Sequence, residues 1–258
     1  TNLATEIVTA DGKSLGKFYL DENRTPIKFK DLPEHLVDAL IATEDERFYE
    51  HSGIDIRGTI RAMVYLGSKG GASTISQQLA KQLFHKEKTR GIARYTQKIK
   101  EWIIATRLEK QYTKEEILTM YFNIYDFNNN ADGIRSAAKI YFDKEPKQLK
   151  IEEGAMLVGM FKNSALYNPV KNKEGVTNRR NVVLAQMAKN NYLTQEQKDS
   201  LQQLPLKIKY TPESHNDGIA TYFREYLRSY MKTWVNENPK PDGSKYNLYL
   251  DGLKVYTT

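Results

Sequence analysis

The chain has 258 residues, enough to bury one large domain with room for a small module. With 40% hydrophobic residues, 15 Gly and 8 Pro, it is neither disordered nor collagen-like, and the absence of Cys rules out a disulfide framework, a thiol nucleophile and a thiolate zinc site. A net charge of +7 suits an anionic partner: nucleic acid, anionic lipid or a phosphorylated substrate.

No apolar run approaches the ~18 residues needed to span a bilayer, and no basic-then-apolar leader opens the chain. It starts at Thr1 rather than Met, so an export signal or anchor is expected upstream.

In chain order, Glu6–Thr9 and Lys17–Leu20 read as strands around an Asp11-Gly12 turn. A helix is predicted from Asp31, with Asp31 as N-cap, Glu34 completing a capping box and Pro33 in the first turn. A Gly/Ser/Thr-rich loop at 67–76 leads into a helix over 76–84. Residues 85–93 are charged and aperiodic and read as a loop. Helices are predicted over 94–111 and 114–125, the second broken by Asn128-Asn129-Asn130, and further ones over 132–142, 151–161, 177–191, 194–203 and 217–235. The chain closes on two strand-like pieces, Tyr246–Leu250 and Leu253–Thr257, around Asp251-Gly252. The fold class expected is therefore mainly α, with small β pieces at both ends: residues 1–30, a helical body at 31–208, and 209–258.

Two carboxylates stand out. On a helical wheel at about 100° per residue, Glu44 falls at about 80°, between Leu40 at about 40° and Phe48 at about 120°. A carboxylate on a core-facing stripe loses solvation and is thereby tuned toward proton transfer; the same pattern also arises at a helix end that reaches water. Glu101 lies on a helix apolar nearly all round, with Lys98 one turn earlier. It reads either as a functional acid or as half of a buried structural pair. Between residues 81 and 100, Lys81, Lys86, Lys88, Arg90, Arg94, Lys98 and Lys100 face Glu87 alone, which is either a solvated basic face or an anion site. Carboxylates beside a cationic cluster suit chemistry at an anomeric carbon that carries a phosphate.

The motifs then become specific. Glu44-Asp45-Glu46-Arg47-Phe48-Tyr49-Glu50-His51-Ser52-Gly53 resembles the E-D-x-x-F-x-x-H-x-G motif of the peptidoglycan glycosyltransferase domain of bifunctional class A penicillin-binding proteins. Gly71 to Gln78 resembles its G-x-S-T-I-x-Q-Q, and Gln97-Lys98-Ile99-Lys100-Glu101 its R-K-x-x-E. Lys114 to Asn123 resembles K-x-x-I-L-x-x-Y-x-N, and Arg179 with Val183-Leu184 resembles R-x-x-x-V-L. Each motif is weak alone; five in family order are strong. Gln97 replaces the usual Arg, and Asn128-Asn129-Asn130 stands where Gly is common in the family.

The resemblance implies a lysozyme-like, mainly helical glycosyltransferase domain at the membrane, with a small β linker module formed from both chain ends. It implies an anchor before residue 1 and a transpeptidase after residue 258. The two end segments are expected to pair. The resemblance also implies polymerisation of lipid II with inversion and release of a polyprenyl diphosphate, at the extracytoplasmic face of the cell membrane. Glu44 is then the general base and Glu101 the second catalytic candidate. Asp45, Phe48, Ser73, Thr74, Gln78, Lys81, Arg94 and Lys98 are candidate substrate-binding residues. His51, Asn123 and Arg179 read as scaffold, Arg179 with an acid partner. Cofactor requirement is none from sequence, although a divalent cation, Mg or Mn, is compatible with the family at Glu101. Lipid II, the lipid-linked glycan chain, the membrane surface and other cell-wall synthesis proteins are the expected partners.

Two other readings compete. A lytic enzyme of the same fold would cleave glycan, and a non-catalytic module would bind an anionic membrane through the basic segment and Met63, Val64, Tyr65 and Leu66. Nucleic-acid binding has no motif to support it. Ser136-Ala137-Ala138-Lys139 and Ser229-Tyr230-Met231-Lys232 match S-x-x-K without the companion motifs that transpeptidation needs.

Overall fold

The computed structural model describes residues 5–10, 12, 14–18, 26–64, 73–84, 92–211, 221–240, 243, 246 and 253–257. The parts of the expected 67–76 and 85–93 loops at 67–72 and 85–91 lie outside these residues. So do the Tyr246–Leu250 strand apart from Tyr246, the Asp251-Gly252 turn, and the side chains of Met63, Tyr65, Leu66 and Arg94. The chain divides into two units, Arg24–Thr211 and the paired ends Thr1–Asn23 with Pro212–Thr258.

Helices build the larger unit. α1 (Glu34–Glu44) follows Pro33, whose missing N–H costs nothing at a helix start. The predicted Asp31 cap does not form: Asp31 ends a 3₁₀ turn and its carboxylate takes Lys147 Nζ at 2.8 Å, so the first turn of α1 lacks a side-chain cap. α2 (Ile56–Val64) is a helix that the periodicity did not announce. α3 (Ile75–Phe84), α4 (Ile92–Gln111) and α5 (Lys114–Ile124) follow. Thr113 starts α5 with a full capping box to Glu116.

Asn128, Asn129 and Asn130 all adopt left-handed φ, near 60°, which asparagine tolerates better than other side-chain-bearing residues, and so break the chain before α6 (Gly133–Phe142). α7 (Ile151–Met160) is buried on every side from Gly154 to Met160 and is the central helix. It lies against α8 (Lys173–Lys189) and α1, which also touch each other; α9 (Gln195–Gln203) closes over α8. The core joins Leu36, Leu40 and Ile41 of α1 to Leu157 and Val158 of α7 and Val183 and Leu184 of α8. Phe161 anchors an aromatic group of Tyr121, Phe122, Tyr125 and Phe127.

The smaller unit is a three-stranded sheet of order β2-β1-β3, with β1 (Thr5–Thr9) antiparallel to β2 (Ser14–Phe18) and parallel to β3 (Lys254–Thr257). The expected pairing of the two chain ends is therefore present, in register from Glu6↔Lys254 to Thr9↔Thr257. Leu227, Met231 and Val235, spaced four apart on α10 (Thr221–Glu237), bury one helix face in a cluster with Ile7. The architecture is mainly α with a small β module from both termini. No helix among the described residues is long and apolar enough to cross a membrane.

Candidate active site

Glu44 is the last residue of α1, and this placement decides its surroundings. The wheel assumed a helix running on to Phe48; instead α1 stops, and the carboxylate leaves the apolar stripe for a cleft of about 240 Å³. The apolar surround expected for Glu44 is thus corrected to a polar one. Gln78 Nε2 donates to its Oε2 at 3.0 Å, and Arg179 Nη2 lies 3.6 Å from Oε1. Only 16% of the Glu44 side chain is exposed.

Close approaches of backbone and side chain place these partners. Arg179 lies flat along α7 because residue 159 is glycine; a Cβ there would stand 3.0 Å from Arg179 Cγ. Arg179 Nε also donates to the Gly159 carbonyl at 3.3 Å. Read from sequence as scaffold with an acid partner, Arg179 lines the cleft, and its acid is Glu44. Gln78 is held from behind by Tyr121, whose hydroxyl donates to Oε1 at 2.8 Å.

The cleft continues past Ser73 and Thr74 to Glu46, Asp55, Arg61, Gln186 and Lys189. Burial would raise the Glu46 carboxyl, but hydrogen bonds from Lys189 and Arg61, each at 3.2 Å, outweigh it and hold the group below the usual range. Arg47 pairs with Asp55 beside it. Sequence reasoning missed this end of the cleft. Its signal was the run Arg57, Arg61 on the helix that was not foreseen.

Glu101 is buried and takes Lys98 Nζ at 3.2 Å and Gln97 Nε2 at 3.3 Å. Lys98 Nζ also donates to Ser73 Oγ at 3.0 Å, which brings its charge to the cleft wall. Glu101 thus orients a lysine. With both oxygens engaged by a cation and an amide, its surroundings do not fit a resident divalent ion. Among the described residues no group of three or more His, Asp or Glu converges as metal ligands. Lys81 is exposed on α3, outside the lining of this cleft, and the side chain of Arg94 is not among those described.

Phe48 is corrected from substrate contact to scaffold, whereas Asp45 and Thr74 line the cleft with polar groups already engaged by the fold. Phe48 is fully buried, with Lys114 Nζ 4.3 Å from its ring centroid, so it has no face to offer. Asp45 is buried; it accepts the Ile75 amide at 3.0 Å, capping α3, and contacts His51 Nε2 at 3.0 Å from both oxygens. The Thr74 hydroxyl donates to the Gly53 carbonyl at 2.7 Å and accepts the Gln77 amide at 3.1 Å. His51 fixes the turn behind Asp45, and Asn123 clamps Ile27 through both its amide atoms at 2.9 Å.

Comparison with known proteins adds a lineage to this geometry. Residues 11–188 match the family model described as transglycosylase. The chain is 35% identical to penicillin-binding protein 1A of Vibrio cholerae over 98% of its own length and 30% of that protein. It is 36% identical to penicillin-binding protein 1A of Escherichia coli, covering 98% of this chain and 28% of the relative. The chain thus spans about 30% of the length of these relatives. The crystal structure of penicillin-binding protein 1A from Haemophilus influenzae superposes with a TM-score of 0.50 at 23% identity, covering 99% of this chain and 26% of that one, a likeness of fold.

Proposed function

The chain belongs to the transglycosylase family, and from that premise we propose that it polymerises lipid II into peptidoglycan glycan strands, with Glu44 as the general base. The acceptor sugar 4-hydroxyl attacks the anomeric carbon of the lipid-linked chain. The new C–O bond forms as the C–O bond to the diphosphate breaks from the opposite face. The hydroxyl proton passes to Glu44, and the bonding pair leaves with the polyprenyl diphosphate.

The observation that carries this reading is the hold on Glu44. One carboxylate oxygen accepts a hydrogen bond from an amide and the other faces a guanidinium at 3.6 Å, at the edge of a cleft whose wall carries Lys98 through Ser73. Such neighbours orient a carboxylate toward the cleft, where it can accept a proton. Lys98, with Lys81, would face the departing diphosphate, where fixed cations stabilise developing charge.

A lytic reading needs a second carboxyl group free to act beside the first. Glu46 is occupied by Arg61 and Lys189, and Glu101 by Lys98 and Gln97, which favours synthesis. Ile56, Ile60 and Val64 are exposed on one side of α2, Leu83 and Phe84 end α3, and Ile99 and Ile103 stand out from α4. Apolar side chains beside basic ones suit contact with a membrane surface, where a lipid-linked substrate is met. We place the domain at the extracytoplasmic face, working with other cell-wall synthesis proteins.

The test is incubation with lipid II and, separately, with purified glycan. Polymer from lipid II, lost about 10²–10⁴-fold in Glu44→Gln, supports the reading. Cleavage of glycan without polymerisation overturns it.

A further inference from the structure

Behind Glu44 runs a relay that none of the chemistry above uses. Tyr121 is fully buried on α5 and stacks on Phe161 with ring centroids 4.8 Å apart and planes 16° from parallel. Its hydroxyl donates to Gln78 Oε1 at 2.8 Å, and Gln78 Nε2 donates onward to Glu44 Oε2 at 3.0 Å. The three residues come from α5, α3 and α1.

The direction of the relay is dictated by chemistry. An ionised carboxylate only accepts, so the Gln78 amide must turn its NH₂ toward Glu44 and its carbonyl toward Tyr121. The phenol must then donate. Burial, and next the negative charge of Glu44, push the Tyr121 hydroxyl well above the ordinary tyrosine range, so the proton it donates stays in place. The flipped amide would set its carbonyl against the carboxylate of Glu44, two acceptors face to face.

The relay also balances a pull. Arg179 stands 3.6 Å from the other carboxylate oxygen, held on its far side by the Gly159 carbonyl at 3.3 Å. Among the described contacts of Glu44, Gln78 alone draws the carboxylate away from that guanidinium. A glutamine with three free torsions would do this poorly if its distal end were loose.

We propose that Tyr121 is a positioning residue for glycan polymerisation, acting through the Gln78 amide to keep the Glu44 carboxylate extended into the cleft rather than collapsed onto Arg179. The proposal rests on Glu44 being the base. Without the phenolic anchor the amide turns, the carboxylate closes on the guanidinium, and the acceptor hydroxyl meets a misplaced base. A displacement of this size acts on turnover and not on substrate affinity.

The test is Tyr121→Phe in the 258-residue chain, which keeps the ring and its stack on Phe161 and removes only the hydroxyl. With lipid II as substrate, kcat falls about tenfold, the worth of one hydrogen bond, while KM and the melting temperature hold. In a Gln78→Ala background the same change has no further effect, because the path is already cut. The side-chain amide resonances of Gln78, assigned by their loss in Gln78→Ala, shift in Tyr121→Phe without any turnover being needed. Wild-type kcat in Tyr121→Phe, additive losses in the double variant, or unmoved amide resonances each overturn the positioning role. A Glu44→Gln variant that polymerises normally overturns the base assignment instead, and the amide resonances still decide whether the relay exists.

Discussion

Asp45 Oδ2 accepts the backbone amide of Ile75 at 3.0 Å across thirty residues of chain. This bond ties the end of α1, where Glu44 sits, to the start of α3, where Gln78 sits, so one buried carboxylate sets the spacing of two site residues. Asp45→Ala leaves the Ile75 amide and His51 without their partner. The expected cost is about 1–3 kcal/mol for the lost cap and the orphaned donors. In a unit of this size that is a fall in melting temperature of roughly 2–10 °C, read by thermal denaturation, with turnover lost alongside. Asp45→Ala that melts as wild-type refutes this role.

How far the site was legible follows from separations of this kind. The wheel treated Leu36 to Phe48 as one continuous helix; α1 ends at Glu44, so the carboxylate meets a polar cleft in place of the apolar stripe expected for it. Phe48 was read as a substrate contact because a motif marks that a residue matters, not which way it points; it is fully buried. α2 escaped notice because Ile56, Ile60 and Val64 put its apolar side outward, around Gly58, and no buried stripe marks it. The helices with buried stripes, α7 above all, were visible in the pattern. Contacts such as Tyr121 to Gln78, 43 residues apart, leave no local trace.

Lys98 and Lys81 are separable by stability. Lys98 is bonded to Glu101, so Lys98→Ala leaves a buried carboxylate with only Gln97, costing about 1–3 kcal/mol as well as binding. Lys81 is exposed, so Lys81→Ala is expected to weaken binding of a diphosphate-bearing lipid with the melting temperature unchanged. Titration of each variant with such a ligand, paired with thermal denaturation, checks both halves. Equal destabilisation by the two variants refutes the distinction.

Asp38 predicts a pH effect away from the site. Burial, with the Glu34 charge adding to it, raises its carboxyl from 3.8 to about 6. Well below 3.8 both folded and unfolded chains hold the proton and Asp38 is neutral in the balance. Between pH 4 and 6 the unfolded chain releases it while the folded chain keeps it, so stability falls as pH rises through that window and the penalty is complete above it. Asp38→Asn removes the penalty. The expected gain at pH 7 is about 1 kcal/mol, below the full linkage value because the group is partly solvated, and it vanishes only well below the unfolded value of 3.8, at about pH 3. Melting curves at the two pH values decide it; an equal gain at both points to a cause other than ionisation.

Gly53 carries a φ of +93°, and its carbonyl receives both Thr74 Oγ1 and Gln77 Nε2, at 2.7 and 3.2 Å. A Cβ there would stand 2.8 Å from the backbone carbon and oxygen of Ala105. Backbone cannot step aside as a side-chain tip can. Gly53→Ala therefore combines left-handed strain, about 1–3 kcal/mol, with a forced separation of the turn from α4. A clear fall in melting temperature is expected, and an unchanged one would show that the turn relaxes freely.

Gly159 offers the opposite case, a glycine whose replacement acts on the site more than on the fold. It lies inside α7 at an ordinary helical φ, where Ala is favoured over Gly by up to about 1 kcal/mol. The new Cβ would meet Arg179 Cγ at 3.0 Å, which the flexible arginine stem relieves by moving a few tenths of an ångström. Those tenths carry the guanidinium relative to Glu44 Oε1, now 3.6 Å away. Helix propensity and crowding nearly cancel, so the melting temperature of Gly159→Ala is expected to stay close to wild-type while kcat with lipid II falls severalfold. Arg179→Lys, which keeps the charge but loses the planar fork, should fall further, because a single ammonium cannot bond the Gly159 carbonyl and face Glu44 with the same geometry. Turnover in Gly159→Ala equal to wild-type would mean that the Arg179–Glu44 separation does not govern the reaction.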